Sequence, residues 1–125
     1  MVPYSNQEIT LLLEELDRIN AQKVRAAFLY LVTDAKTRTE YVTRPDKHGY
    51  IYDFRYYRND KWVYSFIPNQ ESLLWYFRRP LLNDYAVDVV SLRQVFEEVR
   101  ITNGEEIAVR LCSLEDAQNV VGYLI

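Results

Sequence analysis

One cysteine, one histidine, three glycines and four prolines in 125 residues leave several kinds of protein out of consideration. A lone Cys112 excludes an internal disulfide and a cysteine-only zinc site, and it suits a reducing compartment. With His48 as the only imidazole, a histidine relay or a histidine-built metal site has almost nothing to draw on, so neither metal nor cofactor is expected. The shortage of Gly and Pro, set against 49% hydrophobic residues, excludes collagen-like repeats, flexible linkers and disorder. No apolar run approaches the roughly 18 residues that a membrane helix requires. Met1-Val2-Pro3-Tyr4 leads straight into polar Ser5-Asn6-Gln7-Glu8, without the basic start and apolar stretch of a secretory leader. A cytoplasmic location and no membrane contact are the expectations. No phosphate loop, catalytic triad or dinucleotide fingerprint is readable, so the chain reads as a binding protein and not as an enzyme.

What remains is one domain over residues 1–125 with a formal charge of -3 and a sequence pI near 5.2. Ser5 followed by Glu8 is a capping box, and Ile9, Leu12, Leu13, Leu16 and Ile19 recur at helical spacing behind it. Ala26 to Thr33 is a continuous apolar run rich in strand formers and reads as a central strand, followed by a turn at Asp34–Thr37 and a second strand over Arg38–Thr43. Arg44 to Gly49, with Pro45, Asp46 and Gly49, reads as a loop. Tyr50–Tyr57 and Trp62–Ile67 read as a hairpin around Arg58-Asn59-Asp60-Lys61. Pro68 and Pro80 bracket an expected short helix over Gln70–Arg79, and Leu81 to Val90 supports no single reading. Ser91 is positioned to cap a helix with Leu92, Val95, Phe96 and Val99 on one face. Asn103-Gly104 marks a second hairpin, with Gly104 in the left-handed position and Val99 and Ile101 facing the same way as Ile107, Val109 and Leu111. Ser113 then caps a closing helix carrying Leu114, Ala117, Val120, Val121 and Leu124. The fold class is α+β, an antiparallel sheet of about five to six strands covered by amphipathic helices.

Charge and aromaticity are uneven along this order. Residues 1–35 carry a net charge of -2, residues 36–79 of +4 and residues 80–125 of -5; 11 of the 18 aromatics fall between Tyr50 and Phe77. The basic segment is therefore also the aromatic one. Its faces depend on the hairpin register, because a one-residue slip moves every side chain to the opposite side. A loop of two or four residues sets Tyr57 against Trp62 and Arg55 against Tyr64. A three-residue loop gathers Tyr50, Tyr52, Phe54, Tyr56, Trp62, Tyr64 and Phe66 on one side. The first register leaves one face uniformly apolar and is preferred.

On that register Arg55, Tyr57, Trp62 and Tyr64 make a cationic and aromatic patch, the residue types that dominate binding hot spots. Aromatic cross-strand pairs also stabilise a sheet without any ligand. Arg78 and Arg79 beside Trp75-Tyr76-Phe77 pose the same choice, and a helix dipole would account for them. His48 reads as a solvated loop residue and Cys112 as a small buried hydrophobe. Asp53 with Arg55, or Glu97 with Glu98, have spacings too common to select a chemistry.

Ser65-Phe66-Ile67-Pro68 and Trp75-Tyr76-Phe77-Arg78-Arg79-Pro80, together with the chain's size, resemble the small orphan proteins encoded on bacterial integron gene cassettes and, more loosely, α+β immunity proteins. That resemblance implies a bacterial mobile accessory gene, a cytoplasmic product and a homo-oligomer. Three functions compete. Protein binding or self-association rests on the aromatic excess in a small acidic domain. A small-molecule pocket between helices and aromatic strands is an alternative, with Tyr52, Arg55, Trp62 and Tyr64 as its lining. Binding of single-stranded nucleic acid draws on the central +4 segment but is opposed by the overall acidity.

Overall fold

A computed structural model describes residues 3–125. In chain order it contains α1 (Asn6–Asp17), α2 (Gln22–Thr37), β1 (Val42–His48), β2 (Ile51–Arg58), β3 (Lys61–Pro68), β4 (Leu73–Phe77), α3 (Arg79–Leu82), α4 (Val89–Val95), β5 (Val99–Ile101), β6 (Ile107–Leu111) and α5 (Leu114–Val121). The six strands form one antiparallel sheet in the order β1-β2-β3-β4-β6-β5, giving the α+β architecture. Among the described residues, no helix is long and apolar enough to cross a membrane.

Several local expectations are corrected. Ala26 to Thr33 belongs to helix α2, whose buried residues Val24, Ala27, Phe28, Leu31, Val32 and Ala35 follow a helical stripe, while Ala26, Leu29 and Thr33 face water. Arg38 to Tyr41 precede the strand, and Arg44 to His48 lie within β1. Pro45 is tolerated there because β1 is an edge strand and needs no ladder donor on its outer side. Gln70–Arg79 holds β4 in place of a helix. Its alternation is plain, with Leu73, Trp75 and Phe77 buried and Leu74 and Tyr76 half-buried between them. Helix α4 is capped by Asp88 and not by Ser91, whose hydroxyl instead donates to Asp88.

The Ser5–Glu8 capping box is present in full, and Ser113 accepts from the Asp116 amide at the start of α5. In α1, however, Leu12 and Leu16 pack on the core and Ile19 is buried, whereas Ile9 and Leu13 are exposed and Glu15 is wholly buried. The β5–β6 register pairs Val99 with Val109 and Ile101 with Ile107, as the apolar pattern requires. The left-handed residue of that loop is Glu105, at φ 63°, and not Gly104.

The hairpin between β2 and β3 takes neither simple register. Asn59 and Asp60, both at positive φ, form a two-residue turn that pairs Arg58 with Lys61 and Tyr57 with Trp62. A β-bulge then leaves Val63 without an opposite, so Tyr56 meets Tyr64, Arg55 meets Ser65 and Phe54 meets Phe66. The tip obeys the expected pairing while the body of the hairpin slips by one.

That slip builds the core. Phe54, Tyr56, Tyr64, Phe66, Trp75 and Phe77 turn to one face and are fully buried, with Phe54 stacked on Phe66 at 5.0 Å and Phe66 on Trp75 at 5.9 Å. Phe28 of α2 meets Phe66 edge-on at 5.9 Å, and Tyr4, just before α1, meets Phe54 at 6.3 Å. Leu81 of α3, Leu92 of α4 and Ala117 and Val120 of α5 join the same cluster. Every helix therefore contributes to the core on one side of the sheet, and none of Tyr57, Trp62, Ile67, Leu74 or Tyr76 belongs to it.

Candidate functional site

The pleat sends those five residues to the other side of the sheet, which no helix covers among the described residues. Register across the strands gives a row Arg44–Arg55–Ser65–Tyr76–Ala108–Arg100, flanked on one side by Ile67 and Leu74 and on the other by Tyr57 and Trp62.

At the β2–β3 end the side chains interlock. Tyr57 stacks against Trp62 with centroids 6.2 Å apart and planes 29° apart. The Arg55 and Arg78 guanidinium carbons lie 3.9 and 3.7 Å from the Trp62 ring centroid, and that of Arg44 lies 4.6 Å from the Tyr57 ring. The Trp62 indole donates to the Tyr64 carbonyl at 3.0 Å, which fixes the ring's polar edge to its own strand. Arg78 is held beside the bulge because its amide donates to the Val63 carbonyl at 2.9 Å.

The arginines are largely neutralised in place. Arg55 pairs with Asp53 at 3.0 Å and Asp46 at 3.1 Å, Arg78 with Glu106 at 3.2 Å, and Arg110 with Glu98 at 2.6 Å. Burial raises the Asp53 carboxyl above its ordinary range even though Arg55 opposes the shift, so the cost of desolvation exceeds the gain from pairing. Burial also works against the Arg55 cation, but the bonds to Tyr57 and Asp53 and the neighbouring charges raise its pKa on balance. The patch is thus a set of stacked rings in which Arg55 and Arg78 are ion-paired, while Arg44, over Tyr57, has no carboxylate within 4.0 Å among the described residues.

Three of the four residues singled out in the sequence meet here: Arg55, Tyr57 and Trp62. Tyr64 does not. The bulge turns it into the core, where it packs on Trp75 and Phe77 and its hydroxyl accepts the Ile125 amide at 3.0 Å. Burial raises its phenol pKa, and the Ile125 hydrogen bond opposes the shift. The expected pocket lined by Tyr52, Arg55, Trp62 and Tyr64 is not assembled, because Tyr52 turns toward α1 and donates to Glu14 at 2.9 Å. Sequence reasoning did not bring Ile67 or Leu74 to this face, and it raised Arg78 beside Tyr76 but assigned the arginine to a helix dipole. Reading β4 as a helix concealed their common face, and the Leu73–Phe77 alternation was the signal that would have revealed it.

The remaining candidates are dispersed. His48 is exposed at the end of β1. Cys112 is half-buried between β6 and α5, its amide donates to Asp116 at 2.8 Å, and burial followed by the Asp116 charge pushes its thiol up. Glu97 and Glu98 are exposed, with Glu98 committed to Arg110. Among the described residues, no group of three His, Cys, Asp or Glu side chains is placed to hold a metal. No family model matches this sequence, and neither a curated protein nor a solved structure matches it.

Proposed function

We propose that this protein is a non-enzymatic binding protein that pairs with a second copy of itself through the uncovered face of the sheet. The observation that carries the reading is the one-sided placement of the helices, which leaves Tyr57, Trp62, Ile67, Leu74 and Tyr76 together outside the core. Aromatic and arginine side chains in contact are the usual content of protein interfaces. The ion pairs of Arg55, Arg78 and Arg110 leave few free cations on this face, which favours a protein partner over nucleic acid, whose phosphates require cations free to replace counterions.

Register favours a second copy. Sheets stacked about a two-fold axis parallel to the strands would set β1 over β5, β2 over β6 and β3 over β4, so that small Ser65 of each copy faces large Tyr76 of the other. Such an interface is self-complementary.

Light scattering and native mass spectrometry test this directly. The expected mass is twice 14.9 kDa, falling to one copy in Leu74→Lys and Trp62→Ala with unchanged circular dichroism. Leu74 is half-buried and outside the core, so its substitution leaves the fold intact even where loss of the Trp62 ring loosens the hairpin. A wild-type chain that stays monomeric at high concentration refutes the proposal, as does a Leu74→Lys dimer of undiminished strength.

A further inference from the structure

A concavity lies at the β1 edge of the sheet, between the start of α1, the end of α2 and the beginning of β1. Its volume is about 530 Å³, within the range of sites that enclose one small ligand. Ala35, Tyr41 and Val42 give it apolar walls, and Thr43 is part of its lining.

Three cations border it, Lys36, Arg38 and Arg44, against one carboxylate, Glu8. Glu8 is already engaged, accepting the Ser5 amide at 2.8 Å in the capping box. Arg38 is held by Asp34 at 2.7 Å. Lys36 and Arg44 are fixed differently: the Lys36 ammonium sits 4.1 Å from the Tyr4 ring centroid, and Arg44 lies over Tyr57. Neither has a carboxylate within 4.0 Å among the described residues. A cation seated on a ring is positioned without being neutralised, so its charge is available to an anion. Lys36 also offsets the carbonyl end of α2, a role that does not extend to Arg44 on the neighbouring strand.

We propose that this cleft binds a small amphipathic anion, an apolar body ending in a carboxylate or phosphate, with Lys36 and Arg44 as the ligand's counter-charges. A net-negative protein gains no general attraction for such a molecule, so the affinity has to be built locally. The cleft shares Arg44 with the sheet face across the β1 edge, whereas Lys36 takes no part in the patch around Trp62.

Amide chemical-shift titration of the full chain with phenyl phosphate and benzoate, and with benzyl alcohol as an uncharged control, tests the assignment. Phenyl phosphate or benzoate is expected to shift amides from Ala35 to Arg44, and benzyl alcohol far less. Lys36→Gln is expected to weaken binding about tenfold, the worth of one charge-assisted hydrogen bond. Lys36→Arg restores it, and Thr39→Glu at the exposed rim abolishes it. The proposal is overturned if both anions leave these amides unmoved, if they shift a different region, or if Lys36→Gln and Thr39→Glu bind as wild type does. Binding lost only in variants with altered circular dichroism, without rescue by Lys36→Arg, overturns it as well.

Discussion

Glu15 offers the sharpest test of how this fold is held together. It lies on the inward side of α1 with no exposed surface, and neither carboxylate oxygen has a hydrogen-bond partner. Burial pushes its pKa from 4.5 up to about 9, with Asp53 and Asp46 adding to the shift and Arg18 opposing it. The folded chain therefore keeps a proton that the unfolded chain releases above pH 4.5. A raised folded-state pKa means that the stability present below pH 4.5 is lost as the pH rises toward 9, by about 1.4 kcal/mol per pH unit. Over the 2.5 pH units from 4.5 to 7 this costs about 3 kcal/mol, a large share of a domain's net stability. Glu15→Met fills the space without a titrating group and is expected to recover that amount at pH 7, raising Tm by on the order of 10 °C. Glu15→Gln removes the pH dependence but leaves an unsatisfied amide, so its gain at pH 7 is smaller. Urea unfolding followed by circular dichroism from pH 4.5 to 8.5 measures both. The wild-type and Glu15→Met curves should converge at the acid end and separate steadily above it. Parallel curves, or a Glu15→Met protein less stable than wild type at pH 7, would refute the reasoning.

Other outcomes follow from local geometry. Glu105 holds a left-handed backbone at φ 63°, so Glu105→Gly is expected to stabilise the β5–β6 loop by about 1 kcal/mol in denaturant melts. Ser113 accepts the Asp116 amide at 3.2 Å, and Ser113→Ala should cost about 1 kcal/mol through loss of the cap. The Cys112 thiol is pushed up by burial and by Asp116, so its labelling by a thiol reagent at pH 7 should be slower than that of an exposed cysteine peptide and should accelerate as the pH rises. Tyr41 and Arg58 both donate to the Ile125 carbonyl oxygen; Tyr41→Phe should lower Tm through the lost bond while leaving the edge-on packing of that ring on Tyr56 intact.

Several element ends were legible from a polar signal, although at Ser91 and Gly104 the residue that sets the geometry is a neighbour, Asp88 and Glu105. Ser5–Glu8, Asn59-Asp60 and Ser113–Asp116 each specify backbone geometry with their own side chains, and each sits where it was expected. Segments defined only by apolar content were not legible in the same way. Ala26 to Val32 is continuous enough to satisfy a buried strand or a buried helix, and only by extending the window to Val24 and Ala35 does the helical stripe appear. Leu73 to Phe77 failed in the opposite direction, because the flanking Pro68 and Pro80 suggested helix boundaries around five residues whose burial alternates strictly. Glu15 could not be read at all. Its neighbours Leu12, Leu13 and Leu16 define an apolar face that a small rotation of α1 would present without it, and the rotation is set by how Tyr4 and Leu16 seat against the sheet.

The site depended on one residue that no pattern announces. Had Val63 been paired, a two-residue turn would have carried Arg55 to Tyr64 and turned Tyr64 toward water with Trp62. The bulge absorbs Val63, which is itself buried, and so lets the tip keep Trp62 on the outer face while the body keeps Tyr64 and Phe66 in the core. Both demands are hydrophobic, and no uninterrupted strand meets them together, since Trp62, Tyr64 and Phe66 share one parity. The residues flanking the bulge therefore bind the proposed interface to the core: Trp62 is held by Arg55 and Arg78 on one side of the sheet only because Tyr64 is held by Trp75 and Ile125 on the other. Deleting Val63 would make Trp62 and Tyr64 neighbours of opposite parity, so an uninterrupted ladder keeps Tyr57 opposite Trp62, Tyr56 opposite Tyr64 and Phe54 opposite Phe66. Trp62 should stay on the outer face and the aromatic core should stay closed, at the cost of the buried Val63 side chain, about 2 kcal/mol. Self-association should persist in that variant, and a Val63-deleted chain that folds but stays monomeric would refute this account of the register.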